Sequence, residues 1–225
     1  MFKTLANIFN GTITTWDDSA IAKDNPGAKL PSTAISTVHR SDDSGTTFNF
    51  TDYLSQAGNG AWTDPADVTW PTDAQGGQGL EGTSGVVGGI TDTNGAIGYA
   101  DDSAVGKLAV ANIKVGSSFV PPSASGAAKV LALSPIESGR AATDLAIKID
   151  RTSTKNGTYP LLLVSYLMAC PTFSDAKTAD MVKSYLTYVV SSQGQQAAAG
   201  AAGSAPLPAS LSSKATAILS KIAAS

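Results

Sequence analysis

The stretch Thr37-Val38-His39-Arg40-Ser41-Asp42-Asp43-Ser44-Gly45-Thr46-Thr47-Phe48 constrains the chain most, because it writes a strand, a tight polar turn and a helix start in immediate succession. The apolar start from Ile35 to Val38 is broken by Ser41-Asp42-Asp43-Ser44-Gly45, and Phe48, Phe50, Tyr53 and Leu54 then recur mostly at helical spacing. The helix is therefore expected to begin near Ser44 and to run from Thr46 to Ala57. A helix start leaves backbone N–H groups without intrahelical partners and carries the positive end of the dipole, so Gly45, Thr46 and Thr47 offer donors to an oxyanion. Ser44 and Thr46 add hydroxyls. Arg40, at the strand end facing the turn, brings a planar guanidinium that forks onto two anion oxygens, and Asp42 is placed to hold it. Singly, Ser44 reads as an N-cap, Arg40 as a surface charge and Asp42 as a turn former. Their combination in one turn makes Arg40, Ser44, Gly45 and Thr46 the candidate anion-binding residues, with Asp42 behind them.

Other chemistries are excluded or weakened by composition. The formal net charge of -3 argues against nucleic acid as a partner, which needs a basic face. With one histidine, one cysteine and no close carboxylate cluster of ligand spacing, no metal or cofactor is expected. Cys170 lies in an apolar run and reads as a buried small hydrophobe. A serine nucleophile would need a base, and His39 alternates to the strand face opposite Arg40, so no enzyme is expected. Gly77-Gln78-Gly79-Leu80-Glu81-Gly82 matches the dinucleotide glycine pattern in form. The preceding Pro71-Thr72-Asp73-Ala74-Gln75-Gly76 does not read as the strand that pattern requires.

Along the chain, Leu5, Ile8 and Phe9 before Gly11 read as a short helix, and Ser19 to Lys23 as a second, capped by Trp16-Asp17-Asp18. Gly58 to Gly82 reads as loop anchored by Trp62 and Trp70. Helices are expected at about 125–133 and 175–190, and short strands at 95–99 and 113–115. Lys148, Asp150, Arg151 and Lys155 read as a solvated segment, and Tyr159 to Val164 as a buried strand. Met181, Tyr185 and Val189 form one stripe read as core packing. Gln193 to Ser204 reads as helix end and loop, and Leu211 to Ala223 as a terminal amphipathic segment. The apolar run from Tyr159 to Cys170, stopped by Pro171, is too short to span a bilayer.

The run His39-Arg40-Ser41-Asp42-Asp43-Ser44-Gly45-Thr46-Thr47-Phe48 resembles the Arg-x-Asp-x-Ser-Gly-Thr segment of the periplasmic phosphate-binding proteins that feed the Pst-type ABC transporter. Leu5-Ala6-Asn7-Ile8-Phe9-Asn10-Gly11-Thr12-Ile13-Thr14-Thr15-Trp16-Asp17-Asp18, Ile21-Ala22-Lys23-Asp24-Asn25-Pro26-Gly27, Trp70-Pro71 and Gly95-Ala96-Ile97-Gly98-Tyr99 follow in that family's order. The resemblance implies an α/β, periplasmic-binding-protein-like (type II) two-lobe fold, in which the glycine-rich loop leads into a helix at about 82–91. Residues 1–156 would form the complete second lobe with the anion turn, and 157–225 the C-terminal part of an incomplete first lobe. It also implies inorganic phosphate as ligand, bound between two lobes that close by hinge motion, and an ABC transporter permease as partner. The implied address is extracytoplasmic. No secretory signal opens the chain, where Met1-Phe2-Lys3-Thr4 leads into an amphipathic pattern. Family members begin with a segment that supplies further donors and a carboxylate. Its absence here leads us to expect weak phosphate binding and self-association through the incomplete lobe. The alternative is a protein of the same fold working in assembly or surface interaction, with a vestigial or incomplete anion site.

Overall fold

The computed structural model describes residues 2–72 and 76–225. The chain divides into two compact units, one spanning Met1–Pro121 with Leu161–Leu163, the other Pro122–Pro160 with Val164–Ser225.

The first unit begins with α1 (Phe2–Phe9), closed by Gly11 at φ 76°, a left-handed turn that glycine adopts without steric cost. The short α2 (Ser19–Asp24) is capped by Asp18, whose carboxylate accepts from the Ala20 N–H. β1 (Ser36–Arg40) leads into α3 (Gly45–Ala57), with Ser44 as its N-cap, as the sequence pattern requires. Then come β2 (Gln78–Leu80), α4 (Gly82–Asp92), β3 (Ala96–Gly98) and the hairpin β4 (Ile113–Val115) and β5 (Ser118–Val120).

β1 is the middle strand of a parallel sheet in the order β2-β1-β3, in register Val38 to Gln78 and Arg40 to Leu80 on one side, and Ser36 to Ala96 and Val38 to Gly98 on the other. The strands' carboxyl ends therefore gather at Arg40, Leu80 and Gly98. That end of an open α/β sheet is where ligands bind.

β2 lies inside the segment expected to be loop, and within the glycine-rich motif rather than before it. Asp73, Ala74 and Gln75, part of the stretch preceding that motif, lie outside the described residues. A three-residue strand built around glycine carries no alternation to read, and the glycines are there for proximity. A Cβ at Gly77 would sit 2.6 Å from Thr37 Oγ1, and one at Gly79 3.1 Å from the His39 ring.

The core beneath this sheet end is aromatic. Phe9 meets Phe50 edge-on at 4.7 Å, Phe50 stacks on Tyr99 at 4.6 Å, and Trp70 lies 5.7 Å from Tyr99 and 5.4 Å from Trp62. Trp62 and Trp70 are thus buried anchors, as expected from the sequence.

The second unit holds α5 (Ala124–Leu133), β6 (Thr172–Phe173), α6 (Ala176–Val190), α7 (Ser192–Ala202), α8 (Ala209–Leu219) and β7 (Ala223–Ala224), with β6 and β7 paired in parallel. Ala179, Leu186 and Ile222 form a small core with Phe173, Val182 and Leu219 against it.

Five expectations are corrected in this part of the chain, the first being that Gln193 to Ser204, read as helix end and loop, is mostly the separate helix α7, capped by Ser191. Arg151 is not solvated but 2% exposed, donating from Nη1 to the Pro160 carbonyl at 2.9 Å. Tyr159 to Val164 forms no strand. Pro160 removes a backbone donor, and the Tyr159 N–H goes to the Gly126 carbonyl instead of a neighbouring strand. Cys170 is exposed rather than buried. The stripe Met181, Tyr185 and Val189 does not face the core: Met181 and Tyr185 are 67% and 61% exposed, while α6 buries Ala179 and Leu186. No helix among the described residues is long and apolar enough to cross a membrane.

Candidate functional site

The candidate site is the turn between β1 and α3, and its geometry follows from how that turn spends its hydrogen bonds. Ser44 is extended and buried, and its Oγ accepts from the Thr46 N–H at 3.1 Å and the Thr47 N–H at 3.4 Å. The hydroxyl that caps the helix therefore engages two N–H groups expected to be open, and keeps its own proton to donate. The Gly45 N–H has no protein partner among the described residues, and Gly45 is exposed. Thr46, half-buried, adds its hydroxyl one residue further on. Behind these donors runs α3, thirteen residues long, whose dipole favours negative charge at this end.

Arg40 closes the other side. Its Nε donates to Asp42 Oδ1 at 2.7 Å and its Nη2 to Asp42 Oδ2, so the carboxylate takes the side-on edge of the guanidinium. Nη1 and the second Nη2 proton remain as an end-on fork, the geometry that suits two oxygens of one anion. Asp42 Oδ1 also accepts from the Gly82 N–H at 3.0 Å, tying the pair to the start of α4. The Arg40 guanidinium and this N–H hold the Asp42 carboxyl well below the usual carboxylate range, and Asp42 in turn pushes Arg40 up. Asp42 thus stays an ionised acceptor engaged with the protein. Asp43, the next carboxylate along, accepts from the Thr69 hydroxyl at 2.8 Å.

All four candidate residues, Arg40, Ser44, Gly45 and Thr46, fall in this single turn, with Asp42 holding Arg40. His39 is on the other strand face, its ring stacked on Trp70 at 4.9 Å and its Nδ1 2.9 Å from the Arg40 carbonyl. Sequence reasoning missed Tyr99. Its hydroxyl accepts from the Arg40 N–H at 3.1 Å and pairs with Thr47 Oγ1 at 2.7 Å. Burial pushes the Tyr99 hydroxyl's pKa up, keeping it protonated at neutral pH. The available signal was positional, since a residue just past the end of β3 lies beside the end of β1 once the two strands pair in parallel.

A parallel sheet with a polar strand-to-helix turn at its carboxyl end defines a class, and the comparisons place the chain in it. The chain belongs to the periplasmic-binding-protein (PBP) superfamily: the model of the PBP superfamily domain matches residues 3–193. Over 97% of its length it is 37% identical to the phosphate-binding protein PstS2 of Mycobacterium bovis, and over 94% it is 32% identical to PstS 3 of Mycobacterium leprae. It spans 59% and 57% of those two proteins' own lengths. The structure of PfluDING, a high-affinity periplasmic phosphate-binding protein bound with phosphate, superposes with a TM-score of 0.75. That match covers 96% of this chain and 63% of the other at 22% identity, which establishes a shared fold. The α/β periplasmic-binding-protein fold expected from the sequence is thereby the fold of this chain.

Proposed function

We propose that this chain binds inorganic phosphate at the β1–α3 turn and belongs to an extracytoplasmic solute-binding protein that hands phosphate to an ABC transporter permease. The observation that carries the reading is the divided guanidinium of Arg40: one edge fixed by Asp42, the other open beside Ser44, Gly45 and Thr46 at a helix start. A preorganised fork of this kind costs little to orient when the anion arrives. Relatives named for phosphate binding support the choice of phosphate and the role as a binding protein rather than an enzyme. In this reading the first unit is the lobe bearing the anion turn and the second unit carries part of the other lobe.

A second reading has its own observation. The second unit exposes Tyr166, Leu167, Met168, Met181, Tyr185 and Tyr188, with Met168 at 95%, and exposed apolar surface of this extent favours association. Self-association through this unit accompanies phosphate binding in the first reading; in the second it is the function, and the anion turn is vestigial. Thermal unfolding with and without phosphate separates them, because a ligand that binds only the folded chain raises its stability. The first reading expects a phosphate-dependent rise that Arg40→Ala abolishes. An identical melting temperature with and without phosphate would favour the second.

A further inference from the structure

Resting on the reading of the β1–α3 turn as a phosphate site, we propose that Tyr99 is a positioning residue, whose hydroxyl sets the strand end bearing Arg40 against the first turn of α3. The β1–β3 ladder has its last paired rung at Val38 and Gly98, so Arg40 has no backbone partner on the β3 side. On the β2 side the Ser41 N–H goes to the Leu80 carbonyl, and alternation sends the Arg40 N–H the other way. There the Tyr99 hydroxyl accepts it, so a side chain adds one rung beyond the strands. The same oxygen pairs with Thr47 Oγ1, Thr47 is fully buried, and the Thr47 N–H reaches the Ser44 cap.

Arg40, Tyr99, Thr47 and Ser44 are thus linked in one run of hydrogen bonds that crosses from strand to helix behind the open donors. The Tyr99 ring is clamped by Phe50 at 4.6 Å and Trp70 at 5.7 Å, which leaves the hydroxyl little freedom to follow a moving turn. At 8% exposure Tyr99 lies behind the turn, acting on the anion through Arg40 and Thr47.

Tyr99→Phe removes the oxygen and keeps the ring, so it separates positioning from packing. In the full chain, folded at the assay temperature, calorimetric titration with inorganic phosphate is expected to show about tenfold weaker binding, the scale of one hydrogen bond. Thr47→Val is expected to do the same, and the double variant to lose no more than the larger single loss, because both break one link. Two NMR readouts do not depend on phosphate: the Arg40 amide proton should exchange faster in Tyr99→Phe, and the Asp42 carboxyl should titrate closer to the ordinary range as its guanidinium loosens. Tyr99→Phe with wild-type affinity, or with Arg40 exchange and Asp42 titration unchanged, overturns the proposal, as would losses that simply add. A wild type that binds no phosphate at all overturns the functional reading instead. The two NMR readouts then still decide whether Tyr99 holds Arg40.

Discussion

At the scale of single residues, the guanidinium of Arg40 organises the candidate site, and in the proposed function its shape matters as much as its charge. Arg40→Lys keeps the charge but cannot hold Asp42 on one edge and an anion on the other. Phosphate binding is expected to weaken by about 1–3 kcal/mol, measured by calorimetry, and unchanged affinity would remove Arg40 from the site. Asp42 has a pH signature. Its folded-state pKa is lowered, chiefly by the Arg40 hydrogen bond and then by the Gly82 N–H. Its contribution to stability is therefore complete above the ordinary aspartate value of about 3.9 and is lost as pH falls through the folded value. Urea unfolding should show a constant gap between wild type and Asp42→Asn from about pH 8 to 5, closing below about pH 4. A gap that widens on acidification would reverse the assigned sign. These residues were legible in the sequence because strand end, turn and helix cap are local. Tyr99, 59 positions from Arg40, was not, because its role exists only once β1 and β3 pair.

At the scale of elements, the parallel sheet positions the turn, and its close spacing depends on small residues. A Cβ at Gly98 would sit 2.7 Å from the Val38 carbonyl oxygen and 2.8 Å from Ile90 Cδ1, so α4 and β1 approach a site that accepts only glycine. Gly98→Ala is expected to destabilise by about 1–3 kcal/mol in chemical denaturation, since backbone and helix must both shift. A neutral effect would show that the sheet yields more easily than this spacing implies. The capped helices α2, α3, α5 and α6 were readable from sequence to within a residue or so at each end, whereas α4, whose first turn has no side-chain cap, was expected only from the family resemblance. The short strands β2, β5, β6 and β7 were not, because two or three residues cannot display alternation and their pairing is decided by distant segments. Arg151 and the stripe on α6 were misread for a related reason. Polarity and period say which face a segment has, while the neighbours it meets decide whether that face is buried.

At the scale of the whole molecule, the contrast between the units carries the remaining prediction. The first unit buries Phe9, Phe50, Tyr53, Trp62, Trp70 and Tyr99 while leaving Phe48 and Phe119 exposed; the second leaves three tyrosines, two methionines and Leu167 open to solvent. Met181→Lys with Tyr185→Lys should lower the weight-average mass in sedimentation or light scattering without reducing the melting temperature, because exposed positions contribute little to folding. Association unaffected by both changes would place the contact elsewhere. The central claim, that the β1–α3 turn holds phosphate, is tested most directly by a phosphate titration followed by NMR of the backbone amides and arginine side chains. The account predicts saturable shifts concentrated at Gly45, Thr46 and the Arg40 guanidinium, and their loss in Arg40→Ala. Shifts that spare this turn, or that appear only at surface lysines, would contradict it.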